Sequence, residues 1–172
     1  APQGAPLRTP GDTVAPSAAN KPVSAAGQPS PAGQQPPAGA AAPPEPTADQ
    51  LMELSLQQLR RNSPSTARAG FAEFLRRFPQ HPRAADAELF SGEAWAAERN
   101  ADSAAAAYQR VAQRYATSPR AATALYRLGL QALAAGKLDG ARTVFQRLVA
   151  AYATSDEAAL ARERLRALTP SR

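Results

Sequence analysis

The strongest constraint on this chain is a period of 37 residues in its second part. The aromatics Phe78, Tyr115 and Tyr152 stand 37 apart, as do Ala67, Ala104 and Ala141. Phe71, Tyr108 and Phe145 keep the same spacing, and so do Phe74, Val111 and Leu148. Gly92 and Gly129 fall in register, with Ser55 at that place in the first copy. The joints Phe78-Pro79-Gln80-His81-Pro82-Arg83-Ala84-Ala85 and Tyr115-Ala116-Thr117-Ser118-Pro119-Arg120-Ala121-Ala122 are variants of one phrase, and Tyr152-Ala153-Thr154-Ser155-Asp156-Glu157-Ala158-Ala159 is a third. A repeat of this length is one supersecondary unit that buries its apolar face only by stacking on its neighbours.

Each copy reads as two helices, for example Pro119 to Ala135 and then Gly140 to Tyr152. Ser65, Asp102 and Asp139, again 37 apart, are expected to cap the second helices by accepting hydrogen bonds from free amides. Pro82 and Pro119 suit a first helical position, where no amide donor is needed. Gly136 suits the left-handed end of the helix before it. Gly92 or Gly129 facing Ala104 or Ala141 lets paired helices approach closely, and Phe71, Tyr108 and Phe145 fill the space beside them. The expected fold is all-α: a right-handed α-solenoid of three helix pairs, at about residues 48–84, 85–121 and 122–158, closed by a capping helix at 157–168. In that cap Ala161, Leu165 and Leu168 share one side, and Arg162, Glu163, Arg164 and Arg166 the other.

Residues 1–47 have a different composition. They hold twelve of the 17 prolines, and Leu7, Val14 and Val23 are their only large aliphatics. Such a segment cannot bury enough apolar area to offset an ordering cost of ~1–2 kcal/mol per residue, so a disordered, partly polyproline II linker is expected. The first residue is Ala1, not Met, which reads as a processed or excised chain. With no cysteine there is no disulfide framework and no thiolate chemistry. No apolar stretch approaches the roughly 20 residues of a membrane span, so membrane insertion is not expected.

The repeat has a family likeness. A glycine, an alanine twelve residues on and an aromatic four further, as in Gly92, Ala104, Tyr108 and Gly129, Ala141, Phe145, resembles the tetratricopeptide repeat. Leu128 before its glycine fits as well, and Trp95 sits where that family has a large aromatic. Ser55, Ser91 and Ala132 depart from the pattern, Ala132 replacing an aromatic. The usual period is about 34 residues, so each joint here is longer. That longer joint, with the stretches Ala87-Glu88-Leu89-Phe90-Ser91-Gly92-Glu93-Ala94-Trp95 and Ala101-Asp102-Ser103-Ala104-Ala105-Ala106-Ala107-Tyr108-Gln109-Arg110-Val111, resembles the C-terminal domain of the Tol-Pal-associated cell division coordinator family (CpoB, also called YbgF). The resemblance implies a periplasmic adaptor that binds TolA. It would coordinate peptidoglycan synthesis, through a penicillin-binding protein, with outer-membrane constriction at division. Family members carry an N-terminal coiled coil through which they associate; residues 1–47 show no heptads. The alternative is another tetratricopeptide scaffold, such as an outer-membrane assembly component similar to BamD.

In tetratricopeptide arrays the first helix of each pair lines the concave face, at positions three before, one after and four after the glycine. Those positions are Met52, Leu56 and Leu59, then Leu89, Glu93 and Ala96, then Tyr126, Leu130 and Leu133. Six before the glycine come Asp49, Asp86 and Thr123. Met52, Leu56, Leu89, Glu93, Tyr126 and Leu130 are the expected partner-binding groove, a surface suited to an amphipathic helix or an extended apolar segment.

No catalytic, cofactor or metal site is expected. His81 is the only histidine and reads as a joint residue. Glu88, Glu93 and Glu98 drift around one helix and do not form the facing pair that acid–base chemistry needs. Trp95 reads as core. The net charge of +6 and the arginines Arg60, Arg61, Arg76, Arg77, Arg110, Arg114, Arg127 and Arg147 raise nucleic acid as a partner. Their interleaving with acidic residues, and the repeat-core places of the aromatics, argue against it.

Overall fold

The computed structural model describes residues 45–168, so the expectation for the linker lies almost wholly outside the described residues. Within them the chain forms seven α-helices and no strand: α1 (Ala48–Arg60), α2 (Pro64–Arg77), α3 (Ala84–Ala97), α4 (Ala101–Arg114), α5 (Pro119–Ala134), α6 (Leu138–Ala151) and α7 (Asp156–Ala167). Each helix packs against the next, and α1, α3, α5 and α7 also touch in succession. This is an α-solenoid of three pairs with α7 packed on the last.

The helix starts are set by short-range chemistry. Thr47 and Gln50 form a reciprocal capping box at α1, with bonds of 3.3 and 2.9 Å, satisfying two amides that have no helical acceptor. Ser118 Oγ accepts from Arg120 N (3.2 Å) at α5, and Ser155 Oγ accepts from Ala158 N (3.1 Å) at α7. At the matching place before α3 stands His81, whose Nδ1 accepts from Arg83 N at 3.1 Å. Pro64 and Pro119 occupy first helical positions. Pro82 does not, because α3 begins only at Ala84.

The turns inside the three pairs are one motif. Asn62, Arg99 and Gly136 all take positive φ, at 57°, 59° and 70°. The amide of the following residue bonds back to the helix, Ser63 to Gln58 O, Asn100 to Trp95 O and Lys137 to Ala132 O, at 2.9 to 3.0 Å. These are Schellman closures, which satisfy the last carbonyls of the first helix. They also start the second helix earlier than expected. The capping positions are Ser63, Asn100 and Lys137, and only Asn100 caps with its side chain. Ser65, Asp102 and Asp139 therefore lie inside the first turn, where the two carboxylates face the positive end of the helix.

The core runs along the array as three successive clusters. Phe71, Phe74 and Phe145 are fully buried, with Met52, Leu125, Leu148 and Val111; burial of such a side chain contributes about 1.5–3 kcal/mol. Close approach within a pair depends on a missing side chain. A methyl group at Gly92 would lie 2.6 Å from Tyr108 Cε1, and one at Gly129 would collide with the Phe145 ring. In the first pair the missing side chain is on the other helix: a methyl at Gly70 on α2 would collide with the Ser55 hydroxyl on α1.

Candidate functional site

The face shared by the first helices is built from the expected positions, but two of them are core. Met52 is 0% exposed and groups with Phe71, Phe74, Ala84 and Ala87. Leu89 is 2% exposed and groups with Ala104, Tyr108, Val111 and Ala124. Both residues stand three before the glycine position, and that place points toward the next helix pair, where small alanines let an aliphatic chain sink in. Met52 and Leu89 are thus removed from the partner-binding set. Tyr126, at the same place in the third copy, is too large to sink and stays half-buried, tilted against Phe145 with ring centroids 5.8 Å apart.

Leu56, Glu93, Tyr126 and Leu130 remain at least partly open. Glu93 is held by Arg127 of the next first helix at 2.9 Å. The surface is therefore apolar at Leu56, Tyr126 and Leu130, with an ion pair set among them.

A second feature crosses the same helices and was not expected. Arg83, at the joint before α3, reaches back to Glu53 (3.1 Å) and Asp49 (3.5 Å) on α1. Arg120, 37 residues on, pairs with Asp86 on α3. In the third copy the charges change, and Thr123 donates to Glu157 at 2.7 Å. One repeat position thus staples each first helix to the one before it. The signal was present in the joints, where Arg83 and Arg120 keep the 37-residue spacing. These pairs are largely solvated and contribute about 0–1 kcal/mol each; their effect is to fix the spacing of the face.

The other arginines are distributed rather than gathered. Arg76 pairs with Glu73, Arg77 with Glu45 and Glu73, and Arg110 with Glu88. Arg68 lies 3.5 Å above the Trp95 ring and 3.2 Å from Glu98. Tyr108 is enclosed beside Gly92; burial pushes its hydroxyl up to about 12, with Glu93 acting the same way and Arg127 opposing it. Among the described residues no group of three His, Asp or Glu could hold a metal ion, and no helix is long and apolar enough to cross a membrane.

The family model described as Tetratricopeptide repeat matches residues 53–119 and 97–156, more than half of the chain. The chain belongs to the tetratricopeptide repeat family. Among solved structures, it is similar to PcrH from Pseudomonas aeruginosa, at 23% identity and a TM-score of 0.59, over 72% of this chain and 92% of that one. A second PcrH structure, in complex with the chaperone binding region of PopB, aligns at 21% identity and a TM-score of 0.56, over 71% and 94%. The first tetratricopeptide domain of Spaghetti (RPAP3), bound to the HSP90 peptide SRMEEVD, aligns at 16% identity and a TM-score of 0.55, over 70% and 89%. At these identities the likeness is one of fold. Comparison with curated protein sequences returns no match. The tetratricopeptide fold suggests an adaptor for protein–protein interaction.

Proposed function

We propose that this chain is a non-catalytic docking module of the periplasmic cell envelope. It binds TolA and helps coordinate peptidoglycan synthesis with outer-membrane constriction during division. The observation that carries the docking reading is the first-helix face, where Leu56, Tyr126 and Leu130 stay partly open beside the Glu93–Arg127 ion pair. The envelope assignment rests on the 37-residue period and the two helix stretches quoted above, which resemble the division coordinator family.

The chemistry of the face favours an apolar or amphipathic partner segment. Two of the structural neighbours are complexes with a peptide or protein segment, PopB in one and an HSP90 peptide in the other. The HSP90 peptide ends in acidic residues. On the present chain Arg83, Arg120 and Arg127 are each already paired with a carboxylate, Arg127 with Glu93. A carboxylate-rich tail would have to break those pairs, whereas an apolar stripe would meet Leu56, Tyr126 and Leu130 at no such cost.

The test is calorimetric titration of the chain with the periplasmic part of TolA. Replacing Leu56, Tyr126 and Leu130 by Glu together is expected to abolish binding with helical circular dichroism unchanged. Binding that survives in the folded variant removes this face from the proposal, and absence of binding by the unaltered chain removes TolA.

A further inference from the structure

A cavity of about 350 Å³ lies between α4, α5 and α6. It is at the small end of the roughly 300–1,000 Å³ range of ligand pockets. None of Leu56, Glu93, Tyr126 and Leu130 lines it. Its origin is visible one repeat earlier. There Trp95 is covered by the Arg68 guanidinium at 3.5 Å, and Glu98 holds that guanidinium at 3.2 Å. At the corresponding places, 37 residues on, stand Ala132, Ala105 and Ala135, and all three line the cavity. The repeat has lost an indole, a guanidinium and a carboxylate from one spot while its backbone is kept.

Two polar groups at the cavity are left without a partner. Arg110 pairs with the buried carboxylate of Glu88 at 2.8 Å. The matching pair in the next repeat is Arg147 and Leu125, so Arg147 lines the cavity with no carboxylate partner among the described residues. Gln131 also lines it, and its side-chain oxygen is buried with no hydrogen-bond partner among those residues. A buried acceptor without a donor is unfavourable, and an incoming N–H would relieve it.

We propose that this cavity is a docking site for an aromatic side chain, of the indole kind, borne by a partner polypeptide next to an acidic residue. The ring takes the place that Trp95 fills in the preceding repeat. Its N–H donates to Gln131 Oε1, and the neighbouring carboxylate meets Arg147. Residues 1–44 contain no aromatic residue, so that segment cannot supply the ring. The site rests on no property of the first-helix face.

The test uses the full chain labelled with nitrogen-15 and two small probes, N-acetyl-tryptophan, which is anionic, and N-acetyl-tryptophanamide, which is not. Saturable shifts are expected at the amides of Leu128, Gln131, Ala132 and Val144, with the anionic probe binding several-fold more tightly. Arg147→Ala is expected to erase that preference and Ala132→Trp to abolish the shifts. If Ala132→Trp does not fold, Ala105→Met, which narrows the cavity from α4, must weaken binding at least several-fold. The triple Glu variant of the first-helix face should bind the probes as the unaltered chain does, so the two proposals fail separately. No saturable shift, shifts spread over the basic surface near Arg76 and Arg77, or equal binding by the cavity-filled variant would each overturn the proposal.

Discussion

Gly70 on α2 faces Ser55 on α1 so closely that a methyl group at 70 would collide with the Ser55 hydroxyl. In the second and third pairs the roles are exchanged: the glycine is on the first helix, at Gly92 and Gly129, and a larger residue, Ala107 or Val144, stands where Gly70 does. The close contact is conserved in space while the residue that permits it changes helix. Ser55 tolerates its helical position because its hydroxyl donates to Leu51 O at 2.7 Å.

This relationship predicts a change of sign. Gly70→Ala alone gains helix propensity of about 1 kcal/mol but overpacks the contact, at a cost of about 1–3 kcal/mol, so net destabilisation is expected. In a Ser55→Gly background the same substitution should stabilise by about 1 kcal/mol, since the pair then copies the arrangement of the later repeats. Urea denaturation of the four proteins in a double-mutant cycle measures the coupling.

The three left-handed turn residues make a second prediction. Arg99 is exposed and holds a φ of 59°, a conformation that costs a non-glycine residue about 1–2 kcal/mol. Arg99→Gly is expected to stabilise by about 1 kcal/mol. Gly136→Ala should do the reverse by a similar amount, because nothing lies within 4 Å of an added methyl and the cost is conformational alone. Thermal melts decide both.

His81 gives a third. It stands where the other joints have Ser118 and Ser155, and it does their work by accepting from the Arg83 amide. His81→Ser keeps an acceptor for this amide and is expected to lose less stability than His81→Ala. His81→Ala should lose about 1 kcal/mol more than His81→Ser through the unpaired Arg83 amide, and the edge contact with Phe74, 5.3 Å between centroids, is lost in both variants. If both variants melt alike, the ring contact and not the cap is what matters.

Tyr108 gives a prediction in pH. Burial raises its hydroxyl from the ordinary 10.0 to about 12, so the folded chain holds this proton more tightly than the unfolded chain. Its contribution is fully present below pH 10 and is lost as the pH climbs from 10 to 12, by roughly 1–2 kcal/mol once solvent screening is allowed for. Tyr108→Phe should remove this part of the alkaline loss and be well tolerated at neutral pH, because Phe71 and Phe145 fill the same place in the other pairs. Guanidinium denaturation of both proteins across this range checks it.

Much of the architecture could be read before any coordinates. The constant spacing of Phe71, Tyr108 and Phe145, of Ala67, Ala104 and Ala141, and of the joints determined three helix pairs and the pairing of small with large side chains. Period carries this information because each copy must present the same face to its neighbours. Gly136 was legible for the same local reason, since its positive φ is written in its residue type.

What the spacing could not decide is how equivalent positions differ. Met52, Leu89 and Tyr126 share one place in the repeat, yet the first two are sealed in the core and the third is half open, because exposure depends on the volume of the side chain and of the neighbours it meets. Ser65, Asp102 and Asp139 looked like caps, but the turn closures at Ser63, Asn100 and Lys137 start the helices earlier, and that depends on a left-handed residue that sequence marks only at Gly136. The Arg83 and Arg120 staples and the cavity left by Ala105, Ala132 and Ala135 are contacts between copies. A one-dimensional pattern fixes what each repeat contains; packing in three dimensions decides which of its gaps the next repeat fills and which stay open to a partner.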